Sequence, residues 1–375
     1  MKKIIAILLL IIILLVPVMA SANDTIAIYD DYDIPELVMV RAQIIELVYE
    51  GEKVFGFSYQ VFTAEIRSGQ FRGETVEIEN VFSGSPAMDM IINPGDRVIL
   101  ALDIMDNEIF AAYPQDFYRE FHLYILAGIF VLLLLVIAHM KGLKAIIALG
   151  LTVFLIAKIM LPGILNGQDP LMLALIISVI VTTITMLLIC GINIKAFASI
   201  IGTIGGVIVA ALISIWVGHA ANLTGLSSTE SQMLIFAVND ASFNFKNLLI
   251  AGIIIGALGA VMDVAISIAS AMEELKANNP SISKTQLIKS GMNVGKDVAG
   301  TMTNTLILAY TGTSIPLLLL FLAYDQSYTA IVNMELIATE IVRALSGSIG
   351  LVLAIPITAL VYAALMNRKS SNKTN

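Results

Sequence analysis

The chain has 375 residues, 58% hydrophobic and 13% charged, a net charge of −8 and a mean hydropathy of +0.90. Soluble domains are about 45–50% apolar and about 25% charged, so the balance excludes an ordinary soluble protein, and the acidic excess excludes a nucleic-acid partner, which needs a basic surface. The single cysteine, Cys190, excludes an intramolecular disulfide and a cysteine metal cluster, and the scattered His122, His139 and His219 form no zinc motif, so no metal or cofactor is expected.

The N-terminus opens with Lys2 and Lys3, runs apolar from Ile4 to Val16, and reaches "Ala20-Ser21-Ala22". That pattern fits a secretory signal peptide cut after Ala22; an uncleaved anchor helix is the competing reading. Both send the following segment outward. Residues 23–118 are the one long polar region. After an acidic arm, five runs rich in β-branched and aromatic residues read as strands: 37–49, 55–66, 74–82, 96–104 and 108–113. Turn residues separate them, most clearly at Ser68–Gly73 and Asn93–Asp96. Five short strands predict a small extracytoplasmic β-barrel or sandwich, an OB-like barrel being one form, with no catalytic constellation.

Seven apolar segments follow, at about 121–139, 145–165, 171–190, 196–218, 247–271, 301–323 and 341–363. Each has the ~20 residues a helix needs to cross a ~30 Å hydrocarbon core. The expected fold is an all-α polytopic bundle in residues 119–365, followed by a cytoplasmic tail, 366–375. With 23–120 outside, the inner connections carry ten basic residues, among them Lys141, Lys144, Lys195, Lys276 and Arg368, while the outer ones carry only Lys246. Positive charge stays inside, so the expected location is the bacterial inner membrane, with the lipid bilayer as surroundings.

Polarity inside the apolar helices marks the candidate site. At 100° per residue, Gly252, Gly256, Gly259, Asp263, Ser267, Ser270 and Glu274 fall on one face of the fifth helix. Asp263 is eight residues from the inner end, about 12 Å deep. On the sixth helix Asn293, Asp297, Gly300, Asn304 and Thr311 form a second stripe. As neighbours, the two helices would set Asp263 level with about Leu308–Thr311, and Asn304 with about Ser267–Ser270. "TGTSIP" at 311–316 predicts an interrupted helix, since Pro316 removes a backbone hydrogen bond; transporters build sites at such breaks. Gly202 and Gly206, in a four-residue repeat through Gly218, predict close helix packing, as do Gly252, Gly256 and Gly259. Lys158 is the other deep charge, either snorkelling outward or, with a favourable stagger, pairing with Asp263.

The segments "FNFKNLLIAGIIIGALGAVMDVAISIASAMEEL" (243–275) and "SGMNVGKDVAGTMTNTLILAYTGTSIPLLL" (290–319) resemble the YibE/F-like family of bacterial multi-pass membrane proteins. The resemblance covers about 120–365 and implies an integral membrane protein but no particular reaction. Its matching positions are Gly256, Gly259, Asp263, Glu273, Glu274, Gly291, Gly295, Asp297, Gly300, Thr303, Asn304 and Gly312.

Three functions compete. A transporter or permease for a small solute or ion would use Asp263, Ser267, Asn304, Thr311 and Lys158 as an intramembrane polar site, because ionisable residues at such depth usually face a bundle interior or cavity. The plain structural alternative is an Asp263 that is buried, protonated and serves packing alone. A non-transporting scaffold would instead present the β-domain to an envelope partner, and a homo-oligomer fits either reading. An enzyme is not expected: there is no G-x-G-D, paired G-x-S-G and His, or zinc signature, and "GMNVGKD" (291–297) lacks P-loop spacing.

Overall fold

The computed structural model describes residues 36–52, 58–237 and 243–371. The expected signal or anchor segment and the end of the tail lie outside the described residues, as does most of the acidic arm. The chain divides into two compact units, one holding a β-sheet and the chain to Val136, the other the chain from Ile137.

The sheet has five strands, β1 (Glu36–Glu52), β2 (Ser58–Ile66), β3 (Thr75–Val81), β4 (Arg97–Met105) and β5 (Glu108–Phe117), in the order β3-β2-β1-β4-β5. Every hydrogen-bonded pair is antiparallel. The long β1 serves both halves. Its first part ladders with β4 from Glu36 to Gln43, its second with β2 from Ala42 to Glu52, and register shifts after Ile44 and Leu47 bend it between the two. Such bulges add one residue and increase local twist. The curl brings β3 and β5, the two edge strands, within reach of each other without joining them. The result is a half-barrel.

Alternation explains its core. Phe62, Ala64 and Ile66 on β2, Ile78 on β3, and Val98, Leu100 and Leu102 on β4 are all fully buried, with Thr63 and Glu65 between them on β2 less so, while on β4 the intervening Ala101 is buried as well. β5 runs four residues beyond its expected end, through Pro114. Proline is tolerated there because β5 is an edge strand. In the β3–β4 loop the Asp89 carboxylate accepts from the Ser83 amide (2.6 Å), the Ser83 hydroxyl (2.8 Å) and the Gly84 amide (2.9 Å). Partial desolvation pushes this carboxyl up, but the hydrogen bonds outweigh it and hold Asp89 below its ordinary 3.8.

Among the described residues, six helices are long and apolar enough to cross a membrane: α1 (Glu120–Leu165), α2 (Pro170–Cys190), α3 (Ile194–Ala220), α5 (Phe245–Asn278), α6 (Lys284–Ala323) and α8 (Glu335–Ser371, its span read to Met366). Two short helices, α4 (Thr229–Ala237) and α7 (Tyr328–Asn333), lie in connections expected to be loops. The sequence predicts seven segments, and helix α1 accounts for the difference: its 46 residues would extend about 69 Å as one rod. It is interrupted at His139, whose φ of 50° and ψ of −126° are not helical.

Helix α5 is the centre of the second unit and packs on α2, α3, α6 and α8. Its buried face is apolar throughout, with Ile254, Ala257, Val261, Ala265 and Ile268 at most 1% exposed. Helices α3 and α8 cross at glycines. A Cβ on Gly206 would lie 2.7 Å from the Gly350 carbonyl oxygen, and one on Gly350 would lie 2.5 Å from the Gly206 oxygen. Only hydrogen fits between these backbones. Gly202 likewise meets Thr358, whereas Gly252 and Gly259, also expected to pack, have nothing within 4 Å of where a Cβ would sit. Their face of α5 is not sealed by the described residues of this chain.

Candidate functional site

Polar contacts at both ends hold α5 in place. The Asn244 side chain caps its first turn through the Asn247 amide (3.0 Å), and the Asn247 side-chain amide donates to Asp169, which also caps α2. Toward the other end, Lys195 of α3 pairs with Glu273 at 2.8 Å, and the Ser199 hydroxyl donates to the Ala265 carbonyl at 3.3 Å.

The α5–α6 hairpin sets the level of every group on these helices. The connection is only residues 279–283. Ser283 and Gln286 form a capping box that starts α6, a motif that satisfies two orphan amides reciprocally. Three approaches then fix the register: Gly256 meets Tyr310, Gly295 meets Ile268, and Gly291 meets Met272. Asp263 is therefore level with about Gly300–Thr303, not with Leu308–Thr311. Asn304 lies within about one turn of Asp263 in height, not beside Ser267–Ser270. The expectation fails because it counts from the apolar segments' ends. The helices run well beyond those ends, so the hairpin turns closer to Asp263.

Asp263, Ser267, Asn304 and Thr311 are all exposed in the single chain. The structure brings Asp263 and Asn304 within about one turn of each other in depth, with Ser267 one turn from Asp263, and it leaves Thr311 about two to three turns away. The two stripes point out of the bundle, opposite the buried faces of α5 and α6. Among the described residues Asp263 has no hydrogen bond or ion pair, and Lys158 does not pair with it. On α6, the Thr303 hydroxyl, at the same depth, is buried and makes no hydrogen bond among the described residues.

The expected interruption of the sixth helix is absent: α6 is continuous through Pro316. One missing hydrogen bond does not break a helix held by its other turns. Irregular backbone occurs instead in α1, where Ile156–Met160 form a π-helical turn. Pro162, two residues later, has no N–H for the Lys158 carbonyl, and the widened turn carries Lys158 itself. Such turns are frequent at functional sites.

A second charged group escapes the sequence reading. The Arg343 guanidinium donates to Glu340 at 2.7 Å within one turn of α8, and its carbon lies 6.0 Å from the Tyr310 ring centre. Tyr310 in turn reaches Gly256 on the Asp263 face. Glu340 and Arg343 are 20% and 30% exposed. Glu340 Oε2, Arg343 Nε and the buried Thr339 hydroxyl have no partner among the described residues. The i, i+3 spacing of Glu340 and Arg343 is the available signal. No group of His, Cys, Asp and Glu among the described residues is arranged to hold a metal ion.

Comparison with curated proteins and with solved structures returned no match. Two family matches divide the chain at the sheet–helix junction. The YibE/F family N-terminal domain matches residues 49–117, from the second half of β1 to the last residue of β5. The family described as YibE/F-like protein matches residues 126–368, which carry all the Asp263, Asn304, Lys158 and Arg343 features. With well over half of its length matched, this chain belongs to the YibE/F-like family.

Proposed function

We propose that this protein is a transporter or permease of the cell membrane, with Asp263 and Asn304 on its solute or ion path. One observation carries the reading: among the described residues, a carboxylate stands unpaired on the small, polar face of an otherwise apolar helix, at about the depth of an amide on the neighbouring helix. A charged side chain at the centre of a membrane helix costs about 2.5–3.5 kcal/mol on insertion scales, a cost that packing alone does not require. The proposed topology has seven crossings, with α1 crossing twice about His139. The sheet then faces outside, and Lys141, Lys144, Lys195, Lys276 and the C-terminus face inside, as the distribution of basic residues favours. Uptake and efflux in proteoliposomes of the purified chain test the reading, with Asp263→Asn and Asp263→Glu compared. Coupled movement is lost with Asn and retained in part with Glu; undiminished transport by the Asn variant overturns the role of Asp263.

A scaffold reading rests on a different feature. Between the open edges of β3 and β5 runs a groove of about 590 Å³, flanked by Glu77, Glu108 and the exposed Phe110. Unpaired strand edges accept an added strand. Under this reading the sheet domain captures an extended segment of an envelope partner, and Asp263→Asn changes stability only.

A further inference from the structure

We infer that the Asp263 face is completed by a second copy of this chain, which supplies its Asn304 to Asp263 across a two-fold axis normal to the membrane. The inference deepens the transporter reading by naming what closes its polar site, and it starts from how unevenly the helices are covered. About half of the most apolar window of α5 is buried (50%), but only 11% of that of α6. The uncovered part of α5 is its polar part, with Gly252, Gly259, Asp263 and Ser267 exposed; on α6 Gly300 and Asn304 are exposed, as are apolar residues further along such as Leu308 and Leu319. Among the described residues, Gly252, Gly259 and Gly300 have nothing within 4 Å of where a Cβ would sit. Side chains of this kind are not stable against lipid tails, and within membranes they face protein or water.

The occupant follows from hydrogen bonding and depth. Asp263 needs a donor at its own level. The apolar run 4–16 has no side-chain donor, and neither does 125–138 of α1; an acyl chain has none either. A second copy has one. A two-fold axis along the membrane normal keeps every residue at its own depth, and the hairpin register puts Asn304 within about one turn of Asp263. The same operation brings Gly259 and Gly300 stripes together, which lets backbones approach closely. The contact is self-complementary, as an isologous interface must be: each copy gives one amide and receives one.

The test uses full-length chains with Cys190→Ala, so that introduced cysteines are the only ones. One tagged copy carries Ser267→Cys, and a second, differently tagged copy carries Gly300→Cys. The two are co-expressed and treated in membranes with a short bis-maleimide. A product of twice the chain mass bearing both tags is expected. Leu212→Cys, on an exposed apolar part of α3, gives no such product. Adding Asn304→Leu to both copies lowers the yield several-fold, and Asn304→Gln does not. Labelling of both cysteines by a membrane-impermeant maleimide without cross-linking overturns the inference in favour of a water-lined face. So does a wild-type chain of monomer mass by light scattering in mild detergent, which needs no variant to fold. Because cross-linking does not depend on flux, a cross-linked variant together with a wild-type chain that moves no solute in proteoliposomes leaves the interface standing and removes the transporter reading.

Discussion

Gly206→Ala probes the backbone-to-backbone crossing of α3 and α8. The added methyl carbon would lie 2.7 Å from the Gly350 oxygen, 2.8 Å from Val261 Cγ1 and 2.9 Å from Ala354 Cβ. Carbon contacts are optimal at about 3.5–4.0 Å, so α3 and α8 must separate by close to an ångström. Overpacking costs about 1–3 kcal/mol; the upper end applies because one neighbour is a backbone carbonyl that cannot rotate away. Alanine in place of glycine returns about 1 kcal/mol in helix propensity. The net loss is about 2 kcal/mol. For a unit of this size that lowers the melting temperature by about 4–8 °C. Heating in detergent, followed by size-exclusion chromatography of the surviving fraction, measures the shift. Gly128→Ala is the control, since nothing lies within 4 Å of its added carbon, and it is neutral or slightly stabilising. If Gly206→Ala melts with or above Gly128→Ala, the backbone-to-backbone crossing is not what holds α3 to α8.

Arg343→Met strands the largely buried Glu340 carboxylate, an uncompensated charge. It is expected to destabilise by about 2 kcal/mol, and Glu340→Gln added to it costs less than the sum of the single changes, which a double-mutant cycle on melting temperature checks. Phe62→Ala empties a fully buried position in the half-barrel at a cost of about 3–5 kcal/mol, seen as faster proteolysis of the sheet domain while helical circular dichroism is kept. The Asp89 turn gives a pH signature. Because this carboxyl is held below its ordinary 3.8, it stabilises the folded chain above that value, and the stabilisation is lost as pH falls through the lower folded value. The melting difference between wild type and Asp89→Asn is therefore present at neutral pH and shrinks toward pH 3.

The sheet was largely legible because strand alternation is a local property. The five runs were located to within a few residues, and only Pro114 hid the end of β5. Apolar length located the helices but not their ends or their number: α6 begins at Lys284 rather than 301, and two expected segments fall within α1. Their relative register was not legible from apolar length, since it depends on where the helices end. The polar first turns of α6, which Ser283 and Gln286 cap, look like loop by hydropathy, and that error displaced Asp263 from its true level. The outward direction of the two stripes was also hidden. A helical wheel shows that Asp263, Gly259 and Gly252 share a face, but the apolar opposite face can turn toward protein or lipid with equal ease. The Glu340–Arg343–Tyr310 group needed α8 beside α6, a contact between residues about thirty positions apart.

The glycine crossing of α3 and α8 has a mechanical consequence. If either helix slid by one residue, Val207 or Leu351 would enter a gap that admits only a hydrogen atom. These two helices are thus interlocked like gear teeth, and α5, pressed against Gly206 through Val261, is held by the same lock. Helix α6 is drawn into the same lock, since Gly291 meets Met272 of α5 and Gly295 meets Ile355 of α8. The faces bearing Asp263 and Asn304 are thus held at one register.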